Sequence, residues 1–162
     1  MFDFQDLYKT YVPDVYRFAY WLCGDAVDAE DITSETFLRA WKHREKIRTE
    51  TMKAYLLSIA RNLYLERLRK HKLHAELSDG LPDPGSGPDK QAEDRDDLMR
   101  IQQALQQITE VDRAAFILRV QHELPYAEIA RVLQISLSSA KVKVHRVRLK
   151  LIGVVANEEA YS

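Results

Sequence analysis

The sequence predicts an all-α protein of two small helical domains joined by a flexible acidic linker, with a helix-turn-helix in the second domain. Apolar residues recur at spacings of three and four in both halves, and no window alternates with period two for long enough to predict a sheet. Of the five glycines and five prolines, six fall in residues 80–88, where they favour a domain boundary. We assign a first domain to residues 1–74, the linker to 75–97, a second domain to 98–155 and a tail to 156–162.

Three helices account for the first domain. Apolar residues across positions 4–22 predict the first helix, and Pro13 within it predicts a kink or a fresh start. Gly24 ends this helix, and the Asp25 side chain can cap the next one. A third helix, over about residues 51–74, is apolar on nearly all sides at first and strongly basic towards its end.

The second domain ends in a helix-turn-helix. It opens with apolar residues of helical spacing over 98–108, and a second helix follows over 112–121. Pro125 suits the first position of a short third helix. A three-residue break at 134–136 separates that helix from a longer basic one, which Ser136 can cap. In a helix-turn-helix the second helix docks in the major groove of DNA.

The linker composition predicts that the chain itself does not set the distance between its domains. Residues 75–97 contain six aspartates and almost no bulky apolar side chain, which is typical of a flexible segment. A larger partner would then have to space the two domains.

Composition excludes several classes of protein. The 162 residues include one cysteine, too few for an internal disulfide, and no apolar run approaches the roughly 18 residues of a membrane span. The N-terminus lacks the pattern of a secretory signal. We therefore predict a cytoplasmic protein without stable membrane insertion. The chain has no glycine-rich phosphate loop, HExxH motif or paired cysteines, so we predict no catalytic residue, cofactor or metal.

Charge is distributed in alternating blocks. Residues 39–74 carry 11 basic and 3 acidic groups, and residues 113–151 carry 8 and 2, whereas residues 1–38 and 75–112 are net acidic. Two basic blocks in two helical units favour binding to a polyanion such as DNA. The alternative for either block alone is an ordinary solvated helix face.

The last helix carries an exposed valine between cations. At 100° per residue, Val142 lies opposite the apolar stripe that we expect to be buried through Leu137, Ala140, Val144, Val147 and Leu151. The flanking side chains are Lys143 and Arg146 on one side and Lys141, His145 and Arg148 on the other. Flanking cations can bind phosphates while the valine contacts a thymine methyl group. The alternative is an amphipathic helix with a basic outer face that does not bind DNA.

Two features of the first domain also suggest binding surfaces. Leu38 is predicted on the outer face of the second helix among charged and polar residues, as in an interface hot spot; a scattered surface leucine is the alternative. Twelve of the fifteen aromatic residues lie in residues 1–64. Most build the core, but Tyr55 and Tyr64, beside the basic block, could hold unstacked bases of single-stranded DNA.

Three stretches together resemble one family, the bacterial extracytoplasmic-function (ECF, group IV) sigma factors of RNA polymerase. Region two of these proteins resembles GDAVDAEDITSETFLRAWKH and AYLLSIARNLYLERLRKHK, and region four resembles LPYAEIARVLQISLSSAKVKVHRVRLKL. The match covers nearly the whole chain outside the linker, in the family's order. The chain departs from the family in the turn of the helix-turn-helix, where Gln134 stands in place of the usual glycine.

The resemblance implies three binding surfaces. The segment that binds the clamp helices of the polymerase β′ subunit corresponds to Asp28, Asp31, Ile32, Ser34, Glu35, Leu38, Arg39, Trp41 and Lys42. The segment that melts and reads the minus-10 promoter element corresponds to Lys46, Arg48, Lys53, Tyr55, Arg61, Asn62, Tyr64, Arg67, Arg69 and Lys70. The surface that reads the minus-35 element corresponds to Tyr126, Ser136, Ser138, Ser139, Lys141, Val142, Lys143, His145, Arg146 and Arg148.

The resemblance also implies the partners. They are core RNA polymerase (β′ clamp helices and β flap), promoter DNA in duplex and single-stranded form, and an anti-sigma factor that covers both domains. The expected function is promoter-specific transcription initiation without catalysis. The alternative is a stand-alone helix-turn-helix regulator, which would bind duplex DNA without core polymerase.

Overall fold

The computed structural model of the chain describes residues 3–46, 52–77 and 96–159, and every regular element in these ranges is helical. The elements are α1 (Phe4–Cys23), α2 (Ala26–Lys42), a 3-10 turn (Arg44–Lys46), α3 (Met52–Leu77), α4 (Asp96–Gln106), α5 (Glu110–Val120), α6 (Tyr126–Leu133) and α7 (Leu137–Glu159). The all-α prediction is confirmed. Most of the predicted linker and the end of the predicted tail lie outside the described residues.

Helices α1 to α3 form the first unit, and its caps follow the sequence closely. Gly24 ends α1 in the left-handed conformation (φ 77°), and the Asp25 carboxylate accepts hydrogen bonds from the backbone N–H groups of Val27 (2.8 Å) and Asp28 (3.0 Å). Helix α1 runs without interruption through Pro13, so the predicted fresh start is wrong. Pro13 lies on the exposed side of α1, where its missing N–H costs less than the packing of the buried face contributes.

Helices α4 to α7 form the second unit, which contains the predicted helix-turn-helix. Gln134 between α6 and α7 adopts the left-handed conformation (φ 57°, ψ 48°) that glycine usually fills. The Ser136 hydroxyl then accepts a hydrogen bond from the Ser139 N–H (3.1 Å), which caps α7 as predicted. Pro125 stands one residue before α6 instead of at its first position, and Leu137 is exposed because it lies in the first turn of α7.

The two units share one apolar core. Buried side chains of α1 (Phe18), α3 (Leu56), α5 (Ile117) and α6 (Ile129) belong to a single cluster. Helix α1 packs against α4 and α5, and α3 packs against α6. The prediction that nothing within the chain sets the distance between the units is therefore wrong for this structure, because burial of apolar surface between α1, α3 and the second unit holds them together.

None of the helices in the described ranges has both the length and the apolar character that crossing a membrane requires.

Candidate nucleic-acid interface

The outer face of α7 has the composition expected of a DNA-reading surface. Val142 is 53% exposed, and Lys141, His145 and Arg148 are exposed beside it. The opposite face of α7 packs against the rest of the second unit through the buried side chains of Ala140, Val144, Val147 and Leu151. The helix-turn-helix therefore presents a rigid, cation-flanked valine to solvent, as the sequence predicts.

Two further cations on this face are held by a carboxylate of α5. The side chain of Asp112 is 6% exposed, and it accepts hydrogen bonds from Lys143 Nζ (3.0 Å) and Arg146 Nη1 (3.3 Å). The Lys143 side chain is only 22% exposed, whereas that of Arg146 is 53% exposed. Arg146 can reach a phosphate while it stays near Asp112, and Lys143 acts mainly within the fold.

The remaining residues predicted for this surface lie at the start of α7 and at the start of α6. Ser136 and Ser138 are exposed and their hydroxyls lie 3.4 Å apart, and Ser139 is half-buried. Tyr126 is half-buried at the start of α6, and the Arg119 guanidinium lies 4.3 Å from its ring centroid. The three serines lie at the N-terminal end of α7, the end that enters the groove in a helix-turn-helix, whereas Tyr126 lies at the start of α6.

A second surface lies on α2 and contains two large exposed apolar side chains. Leu38 is 59% exposed and Trp41 is 45% exposed. Phe4 supports the Trp41 ring edge-on at 4.9 Å, and the Arg44 guanidinium covers it at 4.1 Å. Ser34, Glu35 and Lys42 are exposed around them. An aromatic–leucine pair inside a polar rim has the anatomy of a protein-binding hot spot.

One residue predicted for the α2 surface lies in the core, and three others form ion pairs with α3. Ile32 is fully buried in the core, so its predicted contact with a partner is wrong. Arg39 donates two hydrogen bonds to Glu66 of α3 (3.0 and 3.3 Å), which hold the pKa of Glu66 below its ordinary value. Asp28 and Asp31 both pair with Arg67. These ion pairs tie α2 to α3.

The predicted minus-10 residues divide into an exposed set and a covered set. Asn62, Arg69 and Lys70 are exposed along α3, and Lys53, Tyr55 and Arg67 are half-buried. Arg61 and Tyr64 are buried. Arg48 and the side chain of Lys46 lie outside the described residues.

Arg61 and Tyr64 are covered by the second unit. Arg61 forms a two-pronged ion pair with Glu110 at the start of α5, with Nε–Oε1 at 2.6 Å and Nη2–Oε2 at 2.8 Å, and both side chains are less than 15% exposed. The Tyr64 hydroxyl accepts a hydrogen bond from Arg113 Nη2 (2.8 Å), and burial raises the pKa of this phenol. The predicted direct contact of these two residues with DNA is therefore not available in this arrangement.

The sequence did not predict the groups that cover Arg61 and Tyr64. Arg113 is 5% exposed and also donates to the carbonyl oxygens of Leu105 and Ile108, both at 3.2 Å. Burial is the main cause that lowers the pKa of His122 to about 3. A glutamate such as Glu110 in a first helical turn predicts only a favourable interaction with the helix dipole. No periodicity or motif indicated its pairing with Arg61.

The described residues contain no group of three or more histidine, cysteine, aspartate or glutamate side chains that could hold a metal ion.

Two family models match the chain. Sigma-70 region 2 matches residues 7–74, and sigma-70 region 4 matches residues 98–151. These ranges correspond closely to the first and second units.

Relatives match across both units. The ECF RNA polymerase sigma factor SigM of Bacillus subtilis (strain 168) is 30% identical over 151 residues, which cover 90% of this chain and 91% of SigM. The ECF RNA polymerase sigma factor SigL of Mycobacterium tuberculosis (strain H37Rv) is 30% identical over 160 residues, covering 91% of this chain and 89% of SigL.

A solved structure has the same arrangement of helices. It is the sigma factor RpoE of Bartonella quintana in complex with the anti-sigma factor NepR, with a TM-score of 0.82, 25% sequence identity, and coverage of 95% of this chain and 97% of RpoE. Sequence similarity over about nine tenths of SigM and SigL, the two family models and the shared fold lead to one conclusion: the chain belongs to the ECF family of RNA polymerase sigma factors.

Proposed function

We propose that three surfaces of this sigma factor have separate binding roles. The α2 face around Leu38 and Trp41 binds core RNA polymerase, the basic part of α3 reads and melts the minus-10 element, and α7 reads the minus-35 element. The α7 face carries the proposal, because it combines a helix-turn-helix, an exposed Val142 and exposed cations on a buried scaffold.

The α7 surface fits duplex DNA in the major groove. Lys141 and Arg148 are exposed on the flank of the helix and can bind phosphates, which position the helix without reading sequence. Val142 at the centre offers a methyl contact to thymine and no hydrogen bond. We therefore expect the minus-35 element to include a thymine, or 5-methylcytosine in its place, opposite Val142.

The α2 surface fits a helical protein partner. Leu38 and Trp41 lie one turn apart and form an exposed apolar pair that Phe4 and Arg44 hold in place. Glu35 and Lys42 supply a charged rim. The clamp helices of the β′ subunit would bind this surface with apolar contacts at its centre and polar contacts around them.

The α3 surface fits single-stranded DNA once it is uncovered. Asn62 and Arg69 are already exposed, and Tyr55 is half-buried in a crevice between α3 and α6. Arginines beside aromatic rings can bind the backbone and stack on unpaired bases.

We further propose that an anti-sigma factor regulates the chain. The solved structure that it resembles is that of a sigma factor bound to one, and the two chains share their fold over 95% of this sequence. The chain would act as a non-catalytic subunit, in the cytoplasm where polymerase and DNA are found.

Transcription with purified components tests the proposal. The chain is mixed with bacterial core RNA polymerase, a randomised promoter library is selected for run-off transcripts, and the enriched elements are sequenced. We expect stable association with core polymerase and transcripts from a two-part promoter. Binding to duplex DNA without association with core polymerase would instead favour the stand-alone regulator.

A further inference from the structure

The C-terminal half of α7 carries a row of exposed apolar side chains that none of the three proposed surfaces uses. Leu149 is 57% exposed, Ile152 is 64% exposed and Val155 is 45% exposed. Residues three apart are neighbours on a helix, so these side chains form one continuous row. Gly153 beside them adds no side chain, and a Cβ atom placed there would meet nothing within 4 Å. Within the part of the chain that the structure describes, the row is open to solvent.

Contact with the minus-35 element does not explain this row. Leu149 lies seven residues beyond Val142, about 10 Å further along the helix axis, and Ile152 lies about 15 Å further. The N-terminal residues of a recognition helix read the bases, and phosphates are bound by cations and hydrogen-bond donors. Leucine and isoleucine offer neither. Neighbouring apolar side chains that remain exposed are instead typical of a protein-binding surface.

The charges around the row indicate an acidic partner. Residues 137–157 of α7 include five lysines and arginines and no aspartate or glutamate. Lys141, Arg148 and Lys150 are exposed, and Arg148 lies one turn before Ile152. A partner helix with carboxylates on both sides of its own apolar row would place them near these cations, as the e and g residues of a coiled coil do.

Two other occupants fit the row less well. A second copy of the chain would bring Arg148 and its cationic neighbours against an equally basic helix, and like charges across an interface are unfavourable. Three side chains also fall short of the roughly 800 Å² per partner that a stable dimer buries. The acidic residues 78–95 of this chain contain one large apolar side chain, Leu81, and three prolines, so their sequence does not provide an amphipathic helix.

We propose that the row of Leu149, Ile152 and Val155 is a docking surface for an acidic amphipathic helix of another protein. The partner packs its apolar side chains on the row, and its carboxylates pair with Arg148 and the neighbouring cations. The contact is small, so it is reversible, and it weakens as salt is added. This docking does not depend on the proposed function.

Two designed peptides serve as probes for the full-length chain. Both have three heptads with isoleucine and leucine at the a and d positions; one carries glutamate at every e and g position and the other carries lysine. Like charges at these positions keep each peptide from pairing with itself. Fluorescence anisotropy at fixed salt measures binding to the wild type, to the double variant Leu149→Ser with Ile152→Ser, and to the control Leu73→Ser.

Leu73 is a matched control for the apolar row. It is a leucine of the same exposure (57%) on the basic part of α3. One turn before it stand Arg69 and Lys70, so it has cations around it but no apolar neighbour on that side. Binding that needs only an exposed leucine near cations would be affected equally by a change at Leu73.

We expect the acidic peptide to bind the wild type and Leu73→Ser equally, and to bind the double variant at least tenfold more weakly. Arg148→Gln should weaken binding about threefold, since it removes one exposed ion pair. The basic peptide should not bind the wild type. All of these substitutions change exposed side chains, so circular dichroism should show unchanged helix content.

No binding of the acidic peptide to the wild type, or equal binding to the wild type and the double variant, would overturn the proposal. Three further results would assign the row to another occupant and overturn it too. These are self-association of the wild type in sedimentation that the double variant loses, weaker binding of the double variant to core polymerase, and weaker binding of the double variant to duplex DNA. Run-off transcription by the wild type tests the proposed function separately, so either proposal can fail alone.

Discussion

Acidification from pH 7.5 to 5.5 should destabilise the chain through His122. This side chain is 3% exposed, it lies edge-on against Phe18 with ring centroids 5.8 Å apart, and neither ring nitrogen has a partner among the described residues. Burial, assisted by the positive charges of Lys53 and Arg17, lowers the pKa of His122 from the ordinary 6.5 to about 3. The folded chain therefore keeps the imidazole neutral at both pH values.

The size of the effect follows from proton linkage. The unfolded chain binds a proton at His122 below pH 6.5, whereas the folded chain binds it only near pH 3. The stability that depends on the neutral imidazole is thus complete above pH 6.5 and is lost as the pH falls towards 3. Between pH 7.5 and 5.5 the expected loss is about 1.3 kcal/mol in the free energy of unfolding.

Urea denaturation, monitored by circular dichroism, measures this loss in the wild type, in His122→Leu and in the control His145→Leu. His145 is a suitable control because it is exposed on α7. The wild type and the control should lose about 1.3 kcal/mol more than His122→Leu between the two pH values. At pH 7.5, His122→Leu should be at least as stable as the wild type, because two unpartnered nitrogens are removed. Equal pH dependence in all three proteins would refute the reasoning.

Three further predictions concern the other surfaces. Leu38→Glu should weaken binding to core polymerase at least tenfold in a titration of labelled sigma factor. The control Val27→Glu changes another exposed residue of the same helix and should leave binding unchanged. Equal effects of the two substitutions would contradict the assignment of the α2 surface to polymerase binding. Lys141→Ala should weaken duplex binding by the holoenzyme and reduce its salt slope by about 1, with Lys9→Ala unchanged. Gln134→Gly should raise the free energy of unfolding by about 0.5–1 kcal/mol, because glycine adopts φ 57° without strain; destabilisation in urea would contradict this.

Local chemistry made most of the fold predictable from the sequence. The caps at Gly24, Asp25 and Ser136 and the apolar periods of the helices depend on neighbours within a few residues, and the structure places each of these caps as predicted. The helix-turn-helix was recognisable for the same reason, even with Gln134 in its turn. Pro13 was misjudged because its exposed position on α1 depends on packing with other helices.

The candidate site was predictable only in part, because long-range contacts decide which side chains are available. The sequence predicts that basic and aromatic residues of α3 bind DNA, but it could not show that Glu110, 49 positions away, pairs with Arg61 and covers it. Ile32 was assigned to a binding surface by its place in a family segment, although its helical period already favoured the core.

Asp112 supplies the α7 surface with a built-in anion. Lys143 and Arg146 share a carboxylate that is almost inaccessible to water, so a phosphate near them must compete with a fixed internal ligand. Exchange of one anion for another gains less than the first neutralisation of a bare cation. Part of the positive charge counted along the sequence is thus already committed to the fold, and the attraction of this helix to an arbitrary duplex is weaker than its composition suggests.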